Sequence, residues 1–250
     1  MANSISLITA TFNSATTLRL CLSSVSSQRV VPEHIIIDGA STDETVGIAR
    51  SFPHVSTIIS EPDNGIYDAM NKGIATSSGD IIGILNSDDF YANPDVLASV
   101  ARIFENKSID SCYGDLAYVD SVDTGRITRY WKSGPFNYRN FFWGWMPPHP
   151  TFFVRRSVYE KHGMFKLNFG SASDYELMLR LLVKHRITST YIPETMVRMR
   201  AGGVSNFSII NRLKANRMDR SAWQENGLRP YPWTTYLKPV SKISQFIMKG

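Results

Sequence analysis

Four short apolar runs recur through the first 105 residues: SISLITATF (4–12), HIIIDG (34–39), VSTIIS (55–60) and IIGIL (81–85). They are β-branched, nearly continuous and too short for core helices, so they read as strands buried on both faces. Helical spacing fills the intervals. After Asn13, an expected N-cap, Leu18, Cys21, Leu22 and Val25 recur at i, i+3, i+4 and i+7. Ser41 with Glu44 forms an expected capping box before TDETVGIARSF. EPDNGIYDAMNKGIATSSGD reads as a turn and then a helix with Ile66, Met70 and Ile74 on one face. Asn93 as N-cap and Pro94 at the first helical position are expected to start a helix with Val96, Leu97, Val100, Ala101 and Phe104 facing inward. Strands alternating with amphipathic helices make βαβ units, hence an α/β fold with a mostly parallel sheet and helices on both faces.

Right-handed crossovers bring every strand's C-terminal end to one edge, where ligands of such sheets bind. At those ends stand Thr9 to Asn13, Asp38, Glu61 with Asp63, and Asp88 with Asp89. The adjacent pair Asp88–Asp89 is electrostatically costly unless a cation arrives. Mg²⁺ and Mn²⁺ prefer oxygen ligands and are held by one or two carboxylates together with substrate phosphates. The alternative is a pair of solvated turn residues.

Beyond residue 110 the texture changes. SCYGDLAYVDSVDTGRITRYW alternates polar and apolar, as expected of antiparallel strands around a turn near Asp123–Gly125. YRNFFWGWMPPHPTFFVRRSVYEKHG is rich in aromatics and ends in a strand–helix step. Of Trp131, Phe141, Phe142, Trp143 and Trp145, most are expected in the core, although rings also stack on sugars. SASDYELMLRLLVKHR is an amphipathic helix with Leu177, Leu181, Leu182 and His185 at helical spacing. NFSIINRLKANRMDRSAWQENG and WTTYLKPVSKISQFIMKG read as basic amphipathic helices broken by LRPYPW.

With 250 residues and 43% hydrophobic composition, the chain can bury one large α/β core. No apolar run approaches the roughly 20 residues that span a bilayer, and MANSISLITATFN lacks the basic and apolar regions of a signal peptide. Cys21 and Cys112 are isolated and fit no metal spacing, so they are expected as reduced core thiols in a cytoplasmic protein. The net charge of +5 is uneven: Tyr191 to Gly250 holds ten Lys/Arg against three Asp/Glu. Such a basic end suggests an anionic partner surface.

The motifs LITATFN, IIIDGASTDET, EPDNGIYDAMNKGIATSSGD and ILNSDD stand in an order and spacing that resembles the inverting family 2 glycosyltransferases of the GT-A fold, from about residue 4 to about 200. The resemblance implies a nucleotide-diphosphate sugar, UDP- or GDP-linked, lying across the strand ends. It matches Ser87-Asp88-Asp89 to the DxD motif that holds a divalent metal, Mn²⁺ or Mg²⁺, with Asp89 as main ligand and Asp88 near the ribose or metal. It implies that Asp38 contacts the base and that Thr9 and Phe12 lie in the loop cradling it. Asp63, Asn71 and Lys72 fall on the donor side. Many members carry Ala-Arg-Asn where this chain reads Ala69-Met70-Asn71-Lys72, so only Lys72 is placed to supply that charge.

Inverting transfer needs one base to take the acceptor proton. The family places a carboxylate at a helix start beyond the DxD motif, which assigns Asp174 as base. An ordinary N-cap is the competing role, and Glu176 the fallback base. Arg180 is placed to support the carboxylate or bind phosphate, and His149 to touch diphosphate or acceptor unless it is structural. GIYDAMNKGI is similar to the bacterial subgroup that builds extracellular polysaccharide and O-antigen units, implying a glycan or undecaprenyl-type lipid-linked acceptor.

The expected organisation is a nucleotide-sugar half (1–110), an acceptor and catalytic half (111–205) of the same GT-A domain, and a basic helical tail (206–250). In the tail, Tyr236, Leu237, Val240, Ile243, Phe246 and Ile247 line one face with Lys238, Lys242 and Lys249 around it. That pattern suits an anionic bilayer, placing the protein peripherally on the inner face of the plasma membrane. Two other functions compete. A nucleotidyltransferase would need a Gly-rich, cationic loop after the first strand, and TATFNSATT has neither glycine nor cation. A nucleic-acid-binding module is disfavoured because RRM, KH and zinc-finger signatures are missing.

Overall fold

The computed structural model describes residues 3–201, 209–234 and 237. The four apolar runs form β1 (Ile5–Thr11), β2 (Glu33–Asp38), β3 (Val55–Ser60) and β4 (Ile81–Ile84). They lie in the spatial order β3-β2-β1-β4, all parallel, with Thr11 beside Asp38 and Asp38 beside Ser60. Helices α1 (Leu18–Ser26), α2 (Thr45–Arg50), α3 (Ile66–Thr76) and α4 (Val96–Ile103) cross between strands, α4 after the short strand β5 (Phe90–Tyr91). Strand side chains alternate between faces, as the pleat dictates. Ile5 and Leu7 pack with Cys21, Val25, Leu97 and Val100, while Ile8, Ile35 and Ile37 pack with Met70 and Ile74. Ile36, on the opposite face of β2, meets Leu18, Leu22 and Ala49.

The second half extends the same sheet. Strands β6 (Ser111–Val119), β7 (Ile127–Trp131), β8 (Phe153–Arg155) and β9 (Ser189–Arg200) follow. The expected hairpin is there, β6 running antiparallel to β7. The sheet is mixed rather than mostly parallel: β8 enters reversed between β4 and β6, β9 runs parallel to β6, and β5 pairs antiparallel with β9. The reversal follows from the long aromatic loop, which returns the chain from the opposite edge. Helices α5 (Arg156–His162), α6 (Ser173–Met178) and α7 (Ile209–Glu225) complete the chain, α6 running on through a π-helical turn at Leu179–Lys184.

Helix starts differ from expectation. Asn13 adopts a left-handed φ of 48° and α1 begins five residues later. Ser41 turns back to Asp38 instead of capping α2, and Asn93 gives its oxygen to the Asp95 N–H. Ile66 is exposed, whereas Met70 and Ile74 are buried. His185 lies outside the core, stacked on His162 with centroids 4.0 Å apart. Both cysteines are free and buried. Helix α7 is docked rather than detached: Trp223 is fully buried and donates to the Tyr175 hydroxyl at 2.9 Å. Apart from Leu237, the amphipathic face read at 236–250 lies outside the described residues. Among the described residues, no helix is long and apolar enough to cross a membrane.

Candidate active site

Hydroxyl groups stitch together the loops after β1, β2 and β4. Asp38, fully buried, accepts from Thr11 Oγ1 (2.9 Å), the Ser41 N–H (2.9 Å) and Ser60 Oγ (2.7 Å). Burial pulls its pKa upward, but the hydrogen bonds from Ser41, Ser60 and Thr11 outweigh that and hold it below the ordinary value. Asn13 Oδ1 accepts from the Thr42 N–H at 2.9 Å, and Ser14 Oγ lies 2.9 Å from Ser87 Oγ, bridging the first loop to the acidic one. Left-handed φ values at Asn13 and Ala40 (61°) add local strain, which protein loops hold mainly where surrounding contacts fix them. This network makes Asp38 a frame for the cradle, with its oxygens turned to the hydroxyls of Thr11, Ser41 and Ser60 and to the Ser41 amide.

Phe12 projects from that frame, 65% exposed. A Cβ on Gly39 would stand 2.6 Å from Asp63 Oδ2 and 3.4 Å from the Phe12 ring. A side chain at 39 would therefore displace the Asp63 carboxylate, and Phe12 and Asp63 flank one recess. The other Asp63 oxygen accepts from the Gly65 N–H at 2.8 Å and orders the turn into α3.

At the end of β4, Asp89 is 1% exposed. One oxygen accepts from Asn86 Nδ2 at 3.0 Å, and Arg200 at the end of β9 favours the charged carboxylate through its backbone and its cationic side chain. Its Oδ1 is buried with no hydrogen-bond partner among the described residues. Burial, and then the charge of half-buried Asp88, push the Asp89 carboxyl well above the usual range. A buried, underpaired carboxylate of this kind is costly unless a proton or a cation compensates it. Arg200 Nε is also buried without a partner while its Nη1 donates to Ser121 O at 3.0 Å, so a cationic side chain stands close to the acidic pair. Among the described residues no group of three or more His, Cys, Asp or Glu could hold a metal by itself. What the acidic pair offers a cation is the unpartnered Asp89 Oδ1, with Asp88 beside it.

Asp174 lies in the first turn of α6, half-buried, and does not cap the helix: Ala172 holds the cap position, and the Asp174 carboxylate accepts only the neighbouring Tyr175 N–H, at 2.7 Å, among the side-chain bonds described. Its backbone and its charge both act on the Tyr67 hydroxyl. Tyr67 and His149 both feel the Asp174 charge, and the Phe165 ring packs against both of them, at 5.3 and 5.5 Å. Burial lowers the His149 pKa against the opposing effect of the Asp174 charge, leaving a neutral imidazole at neutral pH.

Several expected residues are committed elsewhere. Thr9 is fully buried inside β1, with Oγ1 3.0 Å from His34 Nε2, because the strand extends past it to Thr11. Asn71 exchanges both amide groups with the Phe165 backbone, each at 2.9 Å, and so braces that residue. Lys72 is 2.7 Å from Glu61 and donates to Pro62 O, holding the turn after β3. Arg180 is 5% exposed and spends its guanidinium on Glu176 and the carbonyls of His162, Gly163 and Met164. Fully buried Glu176 also accepts from Asn226 Nδ2 at 3.1 Å, which removes it as a reachable base. Of the aromatics, Phe141 is core, Trp145 donates to Ser133 O at 3.0 Å, and Trp143 is exposed. Sequence reasoning missed Tyr67, Phe165 and Arg200; Arg200 was counted only within the basic end.

A family model described as glycosyl transferase family 2 matches residues 6–163, a span that holds the cradle, the acidic pair and His149. The chain belongs to glycosyltransferase family 2. A glycosyltransferase of Mycobacterium tuberculosis is 37% identical over 183 residues, covering 72% of this chain and 69% of the relative. Another from that organism, named for PGL/p-HBAD biosynthesis, is 30% identical over 223 residues, covering 86% and 84%. Staphylococcus aureus TarS 1–349, solved in complex with UDP-GlcNAc, superposes with a TM-score of 0.70 at 15% identity, over 98% of this chain and 71% of that one. The mannosyltransferase PcManGT from Pyrobaculum calidifontis, in complex with GDP-Man and Mn²⁺, gives 0.65 at 15% identity, over 95% and 68%. The fold of this family 2 member is therefore GT-A-like.

Proposed function

We propose that this family 2 glycosyltransferase moves a sugar, with inversion, from a UDP- or GDP-linked donor to a hydroxyl of a glycan or lipid-linked acceptor in cell-surface polysaccharide synthesis. The observation that carries the reading is Asp89, a buried carboxylate with an unpartnered oxygen beside Asp88 and Arg200, on the same sheet edge as the Phe12–Asp63 recess. Asp89, helped by Asp88, would hold Mn²⁺ or Mg²⁺. That ion, when bound, would neutralise the leaving diphosphate, and Arg200 would add positive charge from the protein. Phe12 offers a ring face for the base, over a cradle held by Asp38. The named partners of the two solved relatives, UDP-GlcNAc and GDP-Man with Mn²⁺, are consistent with such a donor. The PGL/p-HBAD relative is consistent with a surface glycan product.

Asp174 serves as base. The acceptor hydroxyl gives its proton to the Asp174 carboxylate while its oxygen bonds to C1 of the sugar, and the C1–O bond to diphosphate breaks. Neutral His149 and Tyr67 line the acceptor side and exclude water from that carboxylate. The test is a panel of UDP-, GDP- and dTDP-sugars with Mn²⁺ or Mg²⁺, comparing wild type with Asp89→Ala and Asp174→Asn. The expected result is turnover of one donor by wild type alone. If every donor is untouched and no nucleotide raises Tm, the proposal is wrong.

A further inference from the structure

Away from the acidic pair, two segments distant in sequence bring aromatic side chains together on the surface. Trp143, Tyr231 and Trp233 are 55%, 45% and 46% exposed. Their ring centroids lie 6.0 Å (Trp143–Tyr231), 6.2 Å (Trp143–Trp233) and 5.2 Å (Tyr231–Trp233) apart. The patch has a firm base: Phe142 packs 4.8 Å from buried Trp223 and 5.4 Å from Tyr231, and Thr234 Oγ1 donates to Phe142 O at 2.7 Å. Exposed aromatic patches of this kind mark interaction surfaces.

Cations flank it. Exposed Arg139 belongs to the same 3₁₀ turn as Trp143, Tyr138–Trp143, and donates to the Tyr138 hydroxyl at 3.2 Å. Exposed Arg186 lies 3.3 Å from the Tyr138 ring centroid, and exposed Arg229 precedes Tyr231 by two residues. None of these arginines forms an ion pair with a carboxylate among the described residues. The sequence following the patch adds Lys238, Lys242 and Lys249 and no acidic residue. A cationic segment is a poor electrostatic cover for an arginine-flanked patch, whereas an anionic surface complements both. Trp and Tyr are the side chains that settle at headgroup depth, with ring in the acyl boundary and N–H or O–H in water.

We propose that Trp143, Tyr231 and Trp233, flanked by Arg139, Arg186 and Arg229, form a docking face for an anionic phospholipid bilayer. The face is built into the folded body, so it acts without requiring the segment beyond residue 237. It does not depend on the donor or metal assignment.

The test is flotation of the full chain with phosphatidylcholine vesicles, with and without phosphatidylglycerol, read alongside quenching of tryptophan emission by brominated acyl chains. Wild type should float only with the anionic vesicles and be quenched. Full-length Trp143→Ser/Tyr231→Ser/Trp233→Ser, with an unchanged Tm, should bind at least about tenfold more weakly. Lys238→Gln/Lys242→Gln/Lys249→Gln should keep the quenching. Should the triple serine variant fail to fold, Trp143→Phe/Trp233→Phe decides the matter, since binding with loss of quenching assigns depth to those two rings. The proposal is overturned if wild type ignores anionic vesicles, if it binds without quenching, or if the aromatic variant binds as tightly. A concentration-dependent dimer that the aromatic substitutions dissolve would also overturn it, assigning the patch to a second copy.

Discussion

Arg180 Nε lies 3.0 Å from Glu176 Oε1, and its Nη2 lies 3.1 Å from the other oxygen, inside the protein. The two residues stand one helical turn apart, and the carbonyls of His162, Gly163 and Met164 complete the arginine's bonding. Its role is to anchor the 162–164 turn against α6. Removing one member strands a buried charge, at about 3–5 kcal/mol. Glu176→Ala and Arg180→Ala should therefore each lower the unfolding free energy by that order in urea denaturation. Donor binding per folded molecule should be unchanged. If Glu176→Ala kept full stability and lost only turnover, Glu176 would be the base.

Asp174→Asn should behave oppositely. The residue is half-buried and caps nothing, so Tm should move little. General-base catalysis contributes on the order of 10²–10⁴ in rate, so kcat should fall by that factor while nucleotide affinity persists. Nucleotide-induced Tm shifts beside initial rates would separate the two effects.

Asp89→Asn should abolish the Tm increase that Mn²⁺ and nucleoside diphosphate produce together, and Asp88→Asn should reduce it. In the absence of cation, Asp89→Asn should be neutral or stabilising, because a buried carboxyl beside Asp88 is costly to ionise. A cation-dependent Tm shift that survives in Asp89→Asn would place the metal elsewhere.

Asn71 supplies a prediction about Phe165. Its two bonds to the Phe165 backbone span 94 residues and fix the ring that packs against Tyr67 and His149. Asn71→Ala leaves a backbone N–H and C=O to find new partners, at about 1–3 kcal/mol. It should lower Tm and also raise the acceptor KM more than the donor KM. Equal effects on both KM values would argue that the Phe165 contacts serve the fold alone.

The parallel half of the sheet was legible because its strands are continuous β-branched runs such as HIIIDG, which few other structures accommodate. β9 was not read, because Pro193 and Glu194 interrupt its pattern. The ladder steps from Tyr113–Tyr191 to Asp115–Thr195, so those two residues fall in an irregularity where proline is tolerated. The expected caps failed for a related reason. Asn13 and Ser41 have capping side chains, but the loops around Asp38 compete for the same hydrogen bonds and win. The acidic pair at Asp88–Asp89 could be read locally. Arg200 could not, since only strand pairing brings it beside Asp89, and Glu176 and Arg180 were read as a fallback base and a phosphate or carboxylate partner because burial, which pairs them, leaves no local mark in the sequence.

His34 gives the fold a definite pH response. It is fully buried in β2, with Nε2 3.0 Å from Thr9 Oγ1 and Nδ1 3.1 Å from His54 Nε2. Burial, and then the neighbouring His54, lower its pKa to about 3. In the unfolded chain the ring titrates near 6.5. Above that value both states are neutral and pH has no effect through this group. As pH falls below it, the unfolded state takes up a proton that the folded state refuses, so stability drops by up to about 1.4 kcal/mol per pH unit until the folded ring titrates. Urea denaturation of wild type between pH 7 and about 4 should show this slope. In His34→Gln the slope should be shallower by up to one proton, even though the variant starts from a lower stability at pH 7. Parallel slopes would mean that His34 is protonated in the fold, with its hydrogen bonds to Thr9 and His54 rearranged.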